Sequence, residues 1–155
     1  MKIEIPVQVA HEYTQRLNAP PEAVFPLLCP VREAEWAKGW DPRVVYSHSG
    51  VAEPGGIFIT ADHGREAVWV ISRHEPETLR VEFIKTTPGF TVCHITIALR
   101  AEGAAKTLAE IRYHYTALSP EGRSFVEGYT PAAYVAFMEE WQGELNAFLA
   151  RSPKP

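Results

Sequence analysis

The hydrophobic pattern of this chain switches period near residue 130, and that switch constrains the fold more than any other feature. Between residues 44 and 118 apolar and polar residues alternate, with turn signals at about 8–12-residue intervals, which argues an antiparallel meander. The turns are Glu53-Pro54-Gly55-Gly56, Asp62-His63-Gly64-Arg65, Glu75-Pro76-Glu77, Thr87-Pro88-Gly89 and Glu102-Gly103-Ala104-Ala105. They separate strand candidates near residues 44–50, 57–61, 66–73, 78–86, 91–100 and 106–117. Residues 11–17 add a seventh strand, stopped by Asn18-Ala19-Pro20-Pro21, where proline suits a first helical turn. Ala23, Val24, Leu27 and Leu28 give the following short helix an apolar side, Pro26 makes it irregular, and residues 31–38 form a second short helix. From Pro131 the spacing becomes helical: Tyr134, Phe137, Met138, Trp141, Leu145, Phe148 and Leu149 recur three and four apart behind Thr130 as N-cap. A helix over 131–151 is about 31 Å long, close to the roughly 30 Å of a nine-residue strand. Gly143 within it costs about 1 kcal/mol against alanine, which points to close packing there. The expected class is α+β: a seven-stranded antiparallel sheet with one long helix across it and two short helices after the first strand.

Parity then assigns faces. Residues opposite one another across an antiparallel pair share a face. A turn centred on Ala104 places Ile95 opposite Tyr113 and Cys93 opposite Tyr115, with Ile97, Leu99, Ala109 and Ile111 on the same side. The same register turns His94, Thr96, Glu110, Arg112 and His114 outward. Around Pro76 the pattern pairs Trp69 with Phe83 and Ile71 with Val81, and around Gly89 it pairs Lys85 with Cys93.

Composition removes several classes of function. The formal net charge is −4, against a nucleic-acid reader built on a basic patch. No run approaches the roughly 18 apolar residues of a membrane span, and Met1 to Ala10 lack the apolar core of a signal peptide. Two cysteines, Cys29 and Cys93, do not make a disulfide framework, so a reduced, cytoplasmic protein is the expectation. Without repeats or low-complexity linkers, residues 1–155 read as a single domain with its core over about 11–150. No GxSxG elbow, phosphate loop or dinucleotide fingerprint occurs, and no cofactor is expected. Asp62 and His63 in one short turn fall short of a metal site, which needs more ligands at defined spacing.

The side chains expected to face one interior are mostly aromatic. Trp36, Trp40, Ile59, Trp69, Ile71, Phe83, Cys93, Ile95, Tyr113, Tyr115, Tyr134, Phe137 and Trp141 are the candidate ligand-binding set, lining an apolar pocket between sheet and helix. Four of the chain's residues are candidates for chemistry. Lys85 beside Cys93 sets a cation near a thiol, an arrangement that favours thiolate, although both also suit plain packing. Glu33 falls on one stripe with Trp36 and Trp40 and would act as an acid or base at the cavity mouth, unless Arg32 pairs with it at the surface. Tyr115, with Tyr113, offers a hydroxyl to a ligand carbonyl.

These residues also carry a family resemblance. The Ala19-Pro20-Pro21-Glu22-Ala23-Val24-Phe25 opening, the Trp69-Val70 strand ending before His74-Glu75-Pro76, and Ser119-Pro120-Glu121-Gly122 ahead of the last helix resemble the SRPBCC superfamily, which includes START domains, birch-pollen-allergen-like proteins and polyketide cyclases. Cys29 to Trp36 with Gly39-Trp40 resembles an uncharacterised bacterial branch. The resemblance runs from about residue 11 to 149. It implies a helix-grip fold with a deep apolar cavity, in a group that binds lipids, steroids, polyketides or plant hormones and includes a minority of enzymes. No catalytic motif is shared across the group, so no catalytic residue carries over.

Three functions follow as expectations. The first is binding or transport of a small hydrophobic ligand, lipid-like, aromatic or polyketide-like. The second is a cyclase- or aromatase-type enzyme using a cavity carboxylate or tyrosine. The third is an interaction module that binds a protein partner or a second copy of the chain. No nucleic acid, membrane span or metal enters any of them.

Overall fold

The computed structural model describes residues 1–151. Seven strands form one antiparallel sheet: β1 (Gln8–Leu17), β2 (Val44–Tyr46), β3 (Ile57–Asp62), β4 (Arg65–Glu75), β5 (Arg80–Thr87), β6 (Thr91–Glu102) and β7 (Lys106–Ala117). Their spatial order is β1-β7-β6-β5-β4-β3-β2, so every hairpin joins neighbours and β1 closes onto the last strand. Between β1 and β2 lie helix α1 (Pro21–Val24) and two 3-10 turns, Phe25–Leu27 and Arg32–Glu35. Two helices follow the sheet, α2 (Pro120–Gly128) and α3 (Pro131–Arg151). This is the helix-grip arrangement. No described helix is long and apolar enough to cross a membrane.

Local chemistry explains the elements. Thr130 caps α3 by accepting the Ala133 N–H at 3.1 Å, and Ser119 caps α2 by accepting that of Gly122 at 3.0 Å. Each cap is followed by proline at the first helical position. Helix α2 is absent from the sequence-based expectation, because its two glycines weaken the helical signal. Gly122 is required by packing: a Cβ there would overlap the carbonyl of Phe90. The other short segments are smaller than expected, since residues 31–38 make only one 3-10 turn and β2 only three residues.

The register of β6 and β7 follows the sequence reading, with Ile95 opposite Tyr113, Cys93 opposite Tyr115, and His94 opposite His114. Lys85 also lies opposite Cys93. The β4–β5 pairing differs. A bulge between Ile71 and Arg73 shifts the ladder, so Trp69 faces Lys85 and Ile71 faces Phe83. Beyond the bulge the parity of β4 reverses, and His74 turns beneath Phe25, ring centroids 5.2 Å apart. A second reversal occurs at the β3–β4 turn. Its two central residues, His63 (φ 50°) and Gly64 (φ 75°), both have positive φ, as a type I′ turn demands. A loop of even length pairs odd with even numbers, so Phe58, Thr60 and Asp62 share the face of Trp69.

Helix α3 crosses the sheet over β1. The Tyr134 hydroxyl donates to Ile111 O at 2.9 Å, and Gln15 Nε2 donates to Met138 O at 3.0 Å. Gln142 and Asn146 accept the N–H groups of Arg16 and Asn18, and Asn146 donates to Arg16 O, all within 3.0 Å. Gly143, expected in close packing, faces open space instead. Gly143→Ala is therefore expected to stabilise the fold by about 1 kcal/mol in urea denaturation.

Candidate functional site

A cavity of about 650 Å³ lies between the inner face of the sheet, helix α3 and the segment around residues 30–43. Small-molecule sites fall in the range of about 300–1,000 Å³. One wall is an aromatic cluster. Phe58 stacks on Trp69 with centroids 5.0 Å apart, and Trp40 meets both edge-on at 5.9 Å. Phe83 stands edge-on to the same pair at 6.1 Å. The indole N–H groups are spent within the protein: Trp40 donates to Pro30 O at 2.7 Å and Trp69 to Thr60 Oγ1 at 2.9 Å. These rings therefore present apolar faces to the interior.

Of the sequence-derived ligand set, Trp40, Trp69, Phe83, Ile95, Tyr113, Tyr115, Phe137 and Trp141 line this cavity. The other five do not. Ile59 sits on the outer face between Val44 and Val68, because the two-residue turn inverts the parity of β3. Trp36 is buried behind the wall, its ring stacked on Trp141 at 6.0 Å and its N–H donated to Leu27 O. Ile71 is buried under Gly56, and Tyr134 is engaged by the backbone of β7. Cys93 is fully buried within the sheet packing.

The Lys85–Cys93 pair does not form an activated thiol. Burial pushes the Cys93 thiol up to about 12 even though Lys85 and a hydrogen bond from Tyr115 pull it down. The Lys85 ammonium turns instead to Asp62, with Nζ 3.2 Å from Oδ1 and 5.3 Å from the centre of the Trp69 ring. Asp62 also accepts from Thr87 Oγ1 at 2.6 Å and lies 2.8 Å from His63 Nδ1. Burial raises the Asp62 carboxyl, but Lys85 and these hydrogen bonds outweigh it, and Asp62 ends below its ordinary value. Asp62, His63, Phe58 and Thr60 are cavity residues that parity without loop length assigns to the wrong face. Phe125 and Tyr129, from α2 and just beyond it, join them.

Glu33 lines the cavity from the Arg32–Glu35 turn. Arg32 pairs with Glu35 three residues on, Nε to Oε1 2.6 Å, and leaves Glu33 alone. Among the described residues no side chain donates to or ion-pairs with its carboxyl, and burial pushes it up to about 8. Glu33 is thus a mostly neutral acid at pH 7. Tyr113 and Tyr115 are both driven upward by burial and stay protonated, and the Tyr113 hydroxyl makes no hydrogen bond to a described residue. No three His, Cys, Asp or Glu side chains among the described residues cluster as metal ligands.

No protein-family model and no curated protein matches the sequence. Solved structures do match the fold. Truncated norcoclaurine synthase from Thalictrum flavum superposes with a TM-score of 0.71 at 12% identity, covering 99% of this chain and 100% of that one. The same enzyme in complex with dopamine and hydroxybenzaldehyde gives 0.66 at 14%, covering 96% and 91%. CalU16 from Micromonospora echinospora gives 0.61 at 20%, covering 98% and 88%. A START superfamily protein from Mycobacterium smegmatis gives 0.65 at 12%, covering 93% and 97%. Together with the sheet order and the cavity under α3, these likenesses show that the chain has the helix-grip fold these proteins share.

Proposed function

We propose that the protein binds a small, largely apolar ligand with an aromatic or lipid-like body in the cavity beneath α3. The observation that carries this reading is the Phe58–Trp69–Trp40 wall, whose indole donors are already satisfied, beside an unfilled space of about 650 Å³. Burying apolar ligand surface there yields about 25 cal/mol per Å² before the costs of association. The free Tyr113 hydroxyl and the Glu33 acid supply the few polar contacts that fix orientation. The norcoclaurine synthase complex, with two small aromatic molecules in the same fold, supports this ligand class. The outer face of β6 and β7 carries His94, Thr96, Arg112 and His114, with Arg112 Nε 3.5 Å from Glu12. That polar surface favours the interior over pairing between sheets.

The test uses the neutral fluorophore N-phenyl-1-naphthylamine. It is expected to bind with enhanced emission, and Trp69→Ala is expected to weaken it at least about tenfold. Ile59→Ala, on the outer face, should leave binding unchanged. Equal binding by wild type and Trp69→Ala, or loss in Ile59→Ala alone, would overturn the reading. A solitary carboxyl among rings favours a second reading, an acid–base enzyme of the cyclase or aromatase kind.

A further inference from the structure

The free edge of β1 differs from one end to the other. Odd-numbered residues of β1 bond to β7, as Val7 O does just ahead of it by accepting the Ala117 N–H at 2.9 Å, so even-numbered ones turn their main-chain groups away from the sheet. Near the C-terminal end these outward groups are occupied, Arg16 by Gln142 and Asn146, and Asn18 by Asn146. At the other end Gln8, Ala10 and Glu12 are exposed, and among the described residues no side chain hydrogen-bonds their main chain. Ahead of them residues 1–7 form an arm whose base is kept in line with β1 by the Val7–Ala117 bond. Ile3 and Ile5 on this arm are 84% and 91% exposed, whereas every isoleucine within the sheet is buried or half-buried. Apolar side chains laid bare beside an open sheet edge mark a surface suited to strand addition. Ile3 and Ile5 share the parity of Val7 and Val9, which are half-buried against the core.

We propose that two copies of the chain join along this edge, the arm of each pairing antiparallel with β1 of the other about a twofold axis at Val7. A twofold interface must be complementary to itself, and the sequence meets that demand in one register. With Val7 opposite its own counterpart, Lys2 lies opposite Glu12 of the second copy, Ile3 opposite His11 and Ile5 opposite Val9. The even-numbered residues supply the hydrogen-bonded pairs, Lys2 with Glu12, Glu4 with Ala10 and Pro6 with Gln8. Each pair occurs twice, giving about ten main-chain bonds, since Pro6 has no N–H to donate. Sliding one strand by two residues either sets Glu4 against Glu12 or leaves Lys2 against Ala10. Sliding it by one residue turns Ile3 and Ile5 to the wrong face. The paired stretch stops at Glu12, short of Arg16 and Asn18, where α3 already holds the main chain. Covering Ile3 and Ile5 with Val9 and His11 of the second copy removes apolar surface from water. This match of charge and parity between one stretch and itself is what selects a second copy over an unrelated strand.

Sedimentation equilibrium on the full chain tests the pairing. At about 100 µM, wild type is expected to approach twice the 17.3 kDa chain mass, with dissociation on dilution. Ile3→Asp combined with Ile5→Asp should be monomeric with an unchanged far-ultraviolet circular dichroism spectrum, because both side chains are exposed in the single chain. Lys2→Glu alone and Glu12→Lys alone should each raise the dimer dissociation constant about tenfold, and the two together should restore it. Amide hydrogen exchange at Ala10 and Glu12 should slow as protein concentration rises. Wild type that stays monomeric overturns the proposal, as does a dimer that survives the paired isoleucine substitutions. A doubly swapped variant that associates no more tightly than either single one also overturns it. None of residues 2–12 lines the cavity, so each of these results leaves the ligand-binding reading untouched.

Discussion

Asp62→Ala is expected to cost about 3–5 kcal/mol in urea unfolding at pH 7, because it strands the Lys85 ammonium in a site where, among the described residues, Asp62 is its only carboxylate at ion-pair distance. The two side chains retain only 13% and 9% exposure, so solvent does little to screen the loss. Thr87 and His63 lose their acceptor in the same variant. Adding Lys85→Met should recover part of the stability, since no buried charge is then left unpaired. The pH dependence has a definite sign. Asp62 is held below its ordinary value of 3.8, so its stabilisation is present above that value and is lost as pH falls through the lower folded value. A double variant less stable than Asp62→Ala would contradict this account.

The second large effect has the opposite sign. The folded state holds the Glu33 proton up to about 8, whereas the unfolded chain releases it near 4.5. Stability from this group is therefore present below 4.5 and is lost as pH rises toward 8, where it levels off. The gap corresponds to on the order of 5 kcal/mol, at about 1.4 kcal/mol per pH unit. Glu33→Gln keeps the shape and removes the titration. Its urea midpoint is expected to lie close to that of wild type at pH 4.5 and well above it at pH 9. Parallel pH profiles for the two proteins would show that the Glu33 carboxyl is solvated.

Most of the sheet was legible because hairpin parity is a strong constraint. The β6–β7 pairing followed from the turn around Ala104, and its register put Ile95 and Tyr113 on one wall. Two features broke the simple rule for physical reasons. The two-residue His63-Gly64 turn reverses parity, which moved Ile59 outward and brought in Phe58 and Asp62. Its Gly and short length were visible in the sequence, so this inversion was open to prediction. The bulge after Ile71 was not, since no local residue pattern marks it. Helix α2 carried the same cap-then-proline signal at Ser119-Pro120 as α3 does at Thr130-Pro131. Gly122 masked it, although that glycine serves the approach to Phe90 and not a turn. For Glu33, composition allowed either a surface pair with Arg32 or a place inside. The three-residue spacing to Glu35 decided it, because it let Arg32 reach the other carboxylate.

The side chains of Gln142 and Asn146 have a consequence for the behaviour of the molecule in a crowded solution. By occupying the main-chain groups of Arg16 and Asn18, they cover the C-terminal end of the β1 rim, where free groups would otherwise offer a template to a neighbouring chain. The opposite rim is only three residues long. Lateral strand addition is therefore disfavoured at that end of β1 by the amide plugs and at the opposite rim by brevity.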